Sequence, residues 1–296
     1  MNLNNINEVL GQLSLSVNAN FSQQQSMMSE KFKQLQNIVL PAIQTHPEVF
    51  SKYKGIHAGQ DVVIMGSGPT VNFYDPVPNA IHIGVNSSFL QDKVKLDYLF
   101  IQDRFPTIQN KYDELLKYDC KKFFGIHYIQ PEGDPFQTIT EKDVQENNAE
   151  RYYFMTELIS DRALCLMSND ITTRPLIAYA STIFCALDFI LWTHPKKLYI
   201  VGCDLTAYKH FDDFTDKCKR NIDCESGMKL IYEGWNIFKE YIERHYPDTE
   251  VISINPIGLK GLFNDIYTNS YLLNNPKIKN ELKDDVKIIN EGSYEK

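Results

Sequence analysis

Four short segments carry side chains suited to ligand chemistry directly after apolar runs. Val62-Val63-Ile64-Met65 leads into Gly66-Ser67-Gly68-Pro69-Thr70. Such a turn lets a backbone approach a ligand closely and present N–H groups to it. Ile83-Gly84-Val85 leads into Asn86-Ser87-Ser88, an amide followed by two hydroxyls. Phe100-Ile101 ends in Gln102-Asp103-Arg104, and Ile200-Val201 ends in Gly202-Cys203-Asp204-Leu205-Thr206. Each has a plainer use. Asn86 can cap a helix, Asp103 can pair with Arg104, and Asp204 or the glycine turn can simply reverse the chain. The glycine turn is neither a dinucleotide fingerprint, lacking the third Gly, nor a phosphate-binding P-loop, lacking Gly-Lys-Ser/Thr.

Elements that could bring these ends together are legible in the apolar pattern. Strands are predicted at Val62–Met65, Ile81–Val85, Asp97–Gln102, Lys122–Ile126, Ala163–Met167, Leu198–Val201 and Glu250–Ile254, with helices at Thr107–Tyr118, Ser181–Trp192 and Gly227–His245. Strands alternating with helices argue for an α/β fold. Its core is a mostly parallel, Rossmann-like sheet flanked by helices. If the strands are parallel, the four polar ends share the carboxyl edge, where open α/β sheets bind ligands.

Composition narrows the classes of partner. The 296 residues carry 30 Lys and Arg against 38 Asp and Glu, a formal charge of −8. A surface that grips nucleic acid throughout is therefore not expected. Phosphates remain acceptable ligands, because backbone amides at helix N-termini bind anions without basic side chains. Tyr and Phe number 17 each, and tyrosine serves equally in a sugar or nucleotide pocket and in a core. Six scattered cysteines without a CxxC pair predict neither a disulfide scaffold nor zinc. The acidic cluster Asp212, Asp213 and Asp216 reads as a solvated loop, and no metal is assigned. No secretory signal or membrane-spanning run is expected. A cytoplasmic protein follows from that expectation, with association at the inner face of the membrane kept open.

Residues 1–29 differ in texture, with 15 Asn, Gln or Ser and Glu8 as the one charge. An apolar stripe from Val9 to Val39 at helical spacing nevertheless crosses this region. A docking or homo-oligomerisation element and a disordered leader both fit. Pro41 and Pro47 are expected to end it. The pattern predicts an N-terminal helical extension at 1–54, an α/β domain at 55–275 and a tail at 276–296. Lid insertions are expected near 127–160 and 207–226.

The segments Gly66-Ser67-Gly68-Pro69, Val85-Asn86, Gln102-Asp103, Ser181 to Asp188 and Tyr199 to Leu205 occur in an order that resembles two related groups. One is the bacterial CMP-sialic-acid-dependent lipooligosaccharide sialyltransferases. The other is the domain shared by motility-associated flagellin glycosyltransferases and the archaeal 6-hydroxymethylpterin pyrophosphokinase. Ser253 to Leu259 is similar to their closing strand and Pro turn. The resemblance covers about residues 55–265 and implies a variant of the GT-A-like glycosyltransferase fold. It implies donor-nucleotide contacts at Gly66, Ser67, Gly68, Pro69, Asn86, Asp103, Ser181, Gly202, Asp204, Leu205 and Thr206. Asp103 stands where the sialyltransferases have Asn.

The implied reaction is a metal-independent, inverting transfer of a sugar, a nonulosonic acid from a CMP-linked donor. The acceptor would be a hydroxyl of a surface glycan or protein, as in lipopolysaccharide or capsule biosynthesis. Tyrosine hydroxyls take the place of a metal at the departing phosphate, for which Tyr208 and Tyr179 are the candidates. The family's basic His has no match, since Met228 or Lys229 falls at its place. His210 is the nearest substitute as general base. No cofactor is expected on this reading. A pyrophosphokinase of the pterin type would instead use ATP and Mg²⁺ held by Asp103 and Asp204. A non-catalytic nucleotide-binding or assembly module is the third reading.

Overall fold

An apolar run without polar alternation can be buried only in a sheet covered on both faces, and the chain builds such a sheet. A computed structural model describes residues 25–26, 29, 39–102, 111–126, 139–155, 168–179, 181–206, 224–282 and 286–289. Its strands are β1 (Asp61–Met65), β2 (Ile81–Val85), β3 (Tyr98–Ile101), β4 (Lys121–Ile126), β5 (Glu150–Met155), β6 (Leu176–Ile177), β7 (Lys197–Val201), β8 (Glu250–Ile254), β9 (Asn264–Thr268) and β10 (Lys287–Ile289). They form one ten-stranded sheet in the order β10-β9-β8-β7-β1-β2-β3-β4-β5-β6. Every neighbouring pair is parallel. The fold is α/β and Rossmann-like. β1 to β6 run outward in sequence order, and β7 then returns to the other side of β1. That reversal places the switch point of the sheet at the carboxyl ends of β1 and β7.

Helices cover the sheet: α1 (residues 39–50), α2 (Tyr112–Lys117), α3 (Glu141–Glu146), α4 (Thr182–Trp192), α5 (Cys224–His245), α6 (Asn269–Asn274) and α7 (Pro276–Glu281). All eleven residues of α4 are buried, because it lies on β1, β2 and β3 and under α5. A helix enclosed on all sides has to be apolar all round. Each large apolar side chain so buried contributes about 1.5–3 kcal/mol. Alternation on β1 divides the core, with Val62 and Ile64 packed on the α4 side and Val63 and Met65 on the other. Much of the aromatic excess goes into the α4 side. Phe100 stacks on Phe123 at 4.6 Å between ring centroids, and Phe189 of α4 lies 5.0 Å from Phe123.

Sequence and structure differ at several elements. Pro41 and Pro47 do not end the N-terminal region, since both lie in α1. Burial of Ala42, His46, Val49 and Phe50 offsets the missing proline N–H groups. Val49, Phe50 and Tyr53 belong to the core of the sheet. Residues 139–155, expected in a lid, extend the sheet instead through α3 and β5. Thr140 and Asp143 start α3 with a reciprocal capping box. In β5 only alternate residues, Tyr152 and Phe154, are fully inside. The neighbours Tyr153 and Met155 are also apolar, which concealed the period of two. β6, β9 and β10 are too short or too polar to read as strands. The predicted strand at Ala163–Met167 lies outside the described residues. Among the described residues no helix is long and apolar enough to cross a membrane.

Two polar fixtures sit within this core. The Arg174 guanidinium pairs bidentately with the Asp188 carboxylate of α4 at 2.6 and 2.8 Å and also donates to the Tyr241 hydroxyl of α5. The pair joins the segment before β6 to both helices. The His46 imidazole bridges α1 to the sheet. The Tyr153 N–H can only donate and the Ile171 carbonyl can only accept, so the ring is neutral, with its proton on Nδ1. Burial is the main cause that lowers its pKa from 6.5 to about 4.

Replacing Asp188 with Ala leaves the buried guanidinium unpaired and should cost about 3–5 kcal/mol in urea denaturation; a loss below 1 kcal/mol would refute the pairing. His46 takes up its proton far more readily in the unfolded chain. It therefore contributes stability that is complete above pH 6.5 and is lost as pH falls towards 4. The stability difference between wild type and His46→Gln should shrink by on the order of 3 kcal/mol between pH 7 and pH 4. A difference independent of pH would show that His46 is not held neutral.

Candidate functional site

The pairing of β1 with β7 does not stop at the strand ends. Gly66 N–H donates to the Val201 carbonyl at 2.8 Å, and Gly68 N–H to the Gly202 carbonyl at 2.7 Å. The two loops cross so closely that a Cβ on Gly66 would lie 2.3 Å from the Gly202 oxygen. One on Gly68 would lie 2.4 Å from an Asp204 oxygen. Gly202 itself has φ +67°. The glycines are thus required first by each other's loop and only then expose backbone to the cleft.

Asp204 fixes the crossing. Its carboxylate accepts from Thr70 N–H at 2.8 Å and from Thr70 Oγ1 at 2.6 Å. Burial raises its pKa, while the two Thr70 hydrogen bonds pull the other way. Pro69 stands at the head of the short 3₁₀ turn that presents Thr70. Behind the loop, Gly258 N–H donates to the Asp204 carbonyl at 3.0 Å, so the turn after β8 supports the same corner.

Asn86 begins the turn after β2 with φ +47°, and Ser87 Oγ donates to Ser67 Oγ at 3.1 Å, tying that turn to the one after β1. Ser181 caps α4, accepting from Ile183 N–H at 3.4 Å, so the positive end of the helix dipole faces the sheet's carboxyl edge. Thr182, the first residue of α4, hydrogen-bonds Asn86 Nδ2 at 3.2 Å and Gln102 Oε1 at 3.1 Å. α5 closes the opposite side. Met228, Ile231 and Trp235 recur at helical spacing and form its apolar wall. Trp235 is held edge-on against Phe184 of α4.

The resulting cleft has a volume of about 250 Å³. Of the residues expected to hold a nucleotide, Gly66, Ser67, Gly68, Asn86, Ser181, Gly202, Asp204, Leu205 and Thr206 line it. Pro69 does not reach its wall. Asp103, Tyr208, His210 and the acidic cluster Asp212, Asp213 and Asp216 lie outside the described residues. Tyr179 packs against Phe184 and over Gly234.

The sequence pattern does not reveal the apolar side of the cleft, formed by Val85, Ile183, Cys203 and the α5 stripe. The spacing of Met228, Ile231 and Trp235 was visible, but only the fold shows what that face meets. Thr182 does not stand out in sequence, being the first residue of a largely apolar helix whose other polar residue is Asp188. Among the described residues, no Lys, Arg or His lines the cleft. Asp204, the one carboxylate among the described lining residues, has both oxygens engaged by Thr70. An anion here would be met by backbone amides, hydroxyls and a helix end. Among the described residues no three His, Cys, Asp or Glu side chains gather as a metal site.

Gly68→Ala forces a Cβ into the Asp204 carboxylate and should destabilise by about 1–3 kcal/mol. Gly227→Ala, with nothing within 4 Å of the added carbon, should be neutral or stabilising by up to about 1 kcal/mol. Equal melting temperatures for the two variants would contradict the loop crossing.

No protein-family model matches the chain, and no curated protein matches it. Among solved structures, the sialyltransferase CstII from Campylobacter jejuni in complex with a substrate analogue, CMP-3FNeuAc, matches with a TM-score of 0.37 at 15% sequence identity, covering 66% of this chain and 80% of that one.

Proposed function

We propose that the chain is a glycosyltransferase. It binds a nucleotide-activated sugar in the cleft over the carboxyl ends of β1, β2 and β7 and transfers the sugar to an acceptor hydroxyl. The observation that carries this reading is the cleft itself. Two glycine loops, Asn86 and the start of α4 converge there, facing an apolar wall from α5. Neutral hydrogen-bonding groups and a helix end suit a phosphodiester, and the apolar wall suits the face of a base or sugar ring.

The donor is a CMP-linked nonulosonic acid, whose phosphodiester suits the backbone amides, hydroxyls and helix end among the described lining residues. The reaction inverts the anomeric carbon and uses no metal. The acceptor oxygen attacks that carbon while its bond to the phosphate oxygen breaks, and CMP departs with the electron pair. The acceptor's proton passes to a base, for which His210 is proposed. Tyr208 would donate a hydrogen bond to the departing phosphate. Both follow closely on Thr206 in the chain. The catalytic unit takes in α1 and β10 as well as residues 55–275, since both pack into the same sheet. The acceptor is a surface glycan or protein. The pyrophosphokinase reading takes Asp103 and Asp204 as magnesium ligands, and each Asp204 oxygen already accepts a hydrogen bond from Thr70.

Thermal shifts with CMP, CDP, UDP, GDP and ATP, with and without Mg²⁺, test the proposal. CMP should stabilise without Mg²⁺, by about 2.7 kcal/mol at one hundred times its Kd. Asn86→Ala and Ser181→Ala should each bind CMP about tenfold more weakly. His210→Ala should lower turnover by about 10²–10⁴ with donor affinity unchanged. Stabilisation by ATP and Mg²⁺ alone would replace the proposal with the pyrophosphokinase reading.

A further inference from the structure

A run of hydrogen bonds leads from the cleft into the core, and its direction is set at the buried end. The Ile177 carbonyl can only accept, so the Cys185 thiol hydrogen points to it, Sγ to oxygen 3.4 Å. Sulfur then has only lone pairs for Gln102, whose Nε2 donates to it at 2.9 Å. That turns Gln102 Oε1 towards Thr182, and the single hydroxyl hydrogen of Thr182 goes to Oε1 at 3.1 Å. Thr182 can therefore offer Asn86 only a lone pair, and Asn86 must face it with Nδ2, at 3.2 Å. Asn86 Oδ1 stands 3.4 Å from the same hydroxyl oxygen, but the hydroxyl's one hydrogen is already spent. A side-chain amide could otherwise be turned either way.

We propose that Thr182 and Gln102 are positioning residues that lock the Asn86 amide so that its Oδ1 is left to accept a hydrogen bond from a ligand N–H or O–H group. Thr182, Gln102 and Cys185 are all at least nine-tenths buried, so they act through Asn86 rather than by touching ligand. This deepens the nucleotide-sugar reading and rests on it for the ligand. The orientation itself belongs to the ligand-free protein. Asn86 then discriminates by the polarity of what faces it. A hydroxyl or amino group is accepted, whereas a carbonyl oxygen placed at the same point is refused.

The orientation is tested first without ligand, by NMR of the Asn86 side-chain amide in the full chain. One Nδ2 hydrogen should exchange slowly in wild type and in Thr182→Ser. In Thr182→Val, which keeps the shape and removes the oxygen, it should exchange at the rate of an exposed amide. Fast exchange in wild type would overturn the proposal even if the Val variant fails to fold. CMP binding is then measured by calorimetry. Thr182→Val and Gln102→Leu should bind about tenfold more weakly, and Thr182→Ser within about twofold of wild type. Weak binding by Asn86→Ala beside unchanged binding by Thr182→Val would overturn the positioning role and leave the function standing. Slow exchange in wild type, with no nucleotide bound by any variant, would support the lock and overturn the glycosyltransferase reading instead.

Discussion

The contact between the Asp204 carboxylate and both donors of Thr70 holds the point at which the sheet changes direction. Parallel strands cannot be joined by a tight turn, so a doubly wound sheet must somewhere reverse its order. Here the reversal separates β1 from β7 by some 130 residues of chain. Two loops that leave such distant strands would diverge without a tie. Asp204 supplies it from one side and Thr70 from the other, and the glycines let the backbones meet. The cleft is bordered by these fixed loops, the turn after β2, the start of α4 and the apolar face of α5.

Everything around that corner is arranged to support it. α4 is enclosed by sheet and α5, so its N-terminus cannot drift from the carboxyl edge. Arg174 and Asp188 lock α4 to the segment before β6 and to Tyr241 of α5. A pair buried this deeply contributes little net stability, since desolvation offsets most of the attraction. Its geometric demand is strict, and it sets how α4 and α5 lie against each other. The wall made by Met228, Ile231 and Trp235 depends on that relation. His46 performs a similar service at the far strands, where α1 meets β5.

The glycines after β1 have a structural cause that the local sequence does not show. Gly66 and Gly68 were read as leaving room for a ligand. They do border the cleft, yet the space that a Cβ would fill is already taken by Gly202 and Asp204. A similar lesson applies to tyrosine. Tyr152, Tyr199 and Tyr241 are buried in the core, so the tyrosine content by itself says little about the site.

Sequence alone was sufficient for the central strands and for the four polar ends. β1, β2, β3 and β7 are apolar runs bounded by glycine or polar residues, and that local pattern needs no knowledge of neighbours. Because all four proved parallel and adjacent, Gly66, Asn86, Gln102 and Gly202 fell on one edge as the pattern required. The outer strands could not be read this way. Glu150–Met155 and Asn264–Thr268 are strands because a neighbour offers hydrogen bonds, not because their own residues demand it. Nor could the sequence disclose the partners of Asp204, Arg174 or Thr182. Each of those contacts joins residues far apart in the chain, and a side chain's role there depends on which groups the fold leaves within about 3 Å of it.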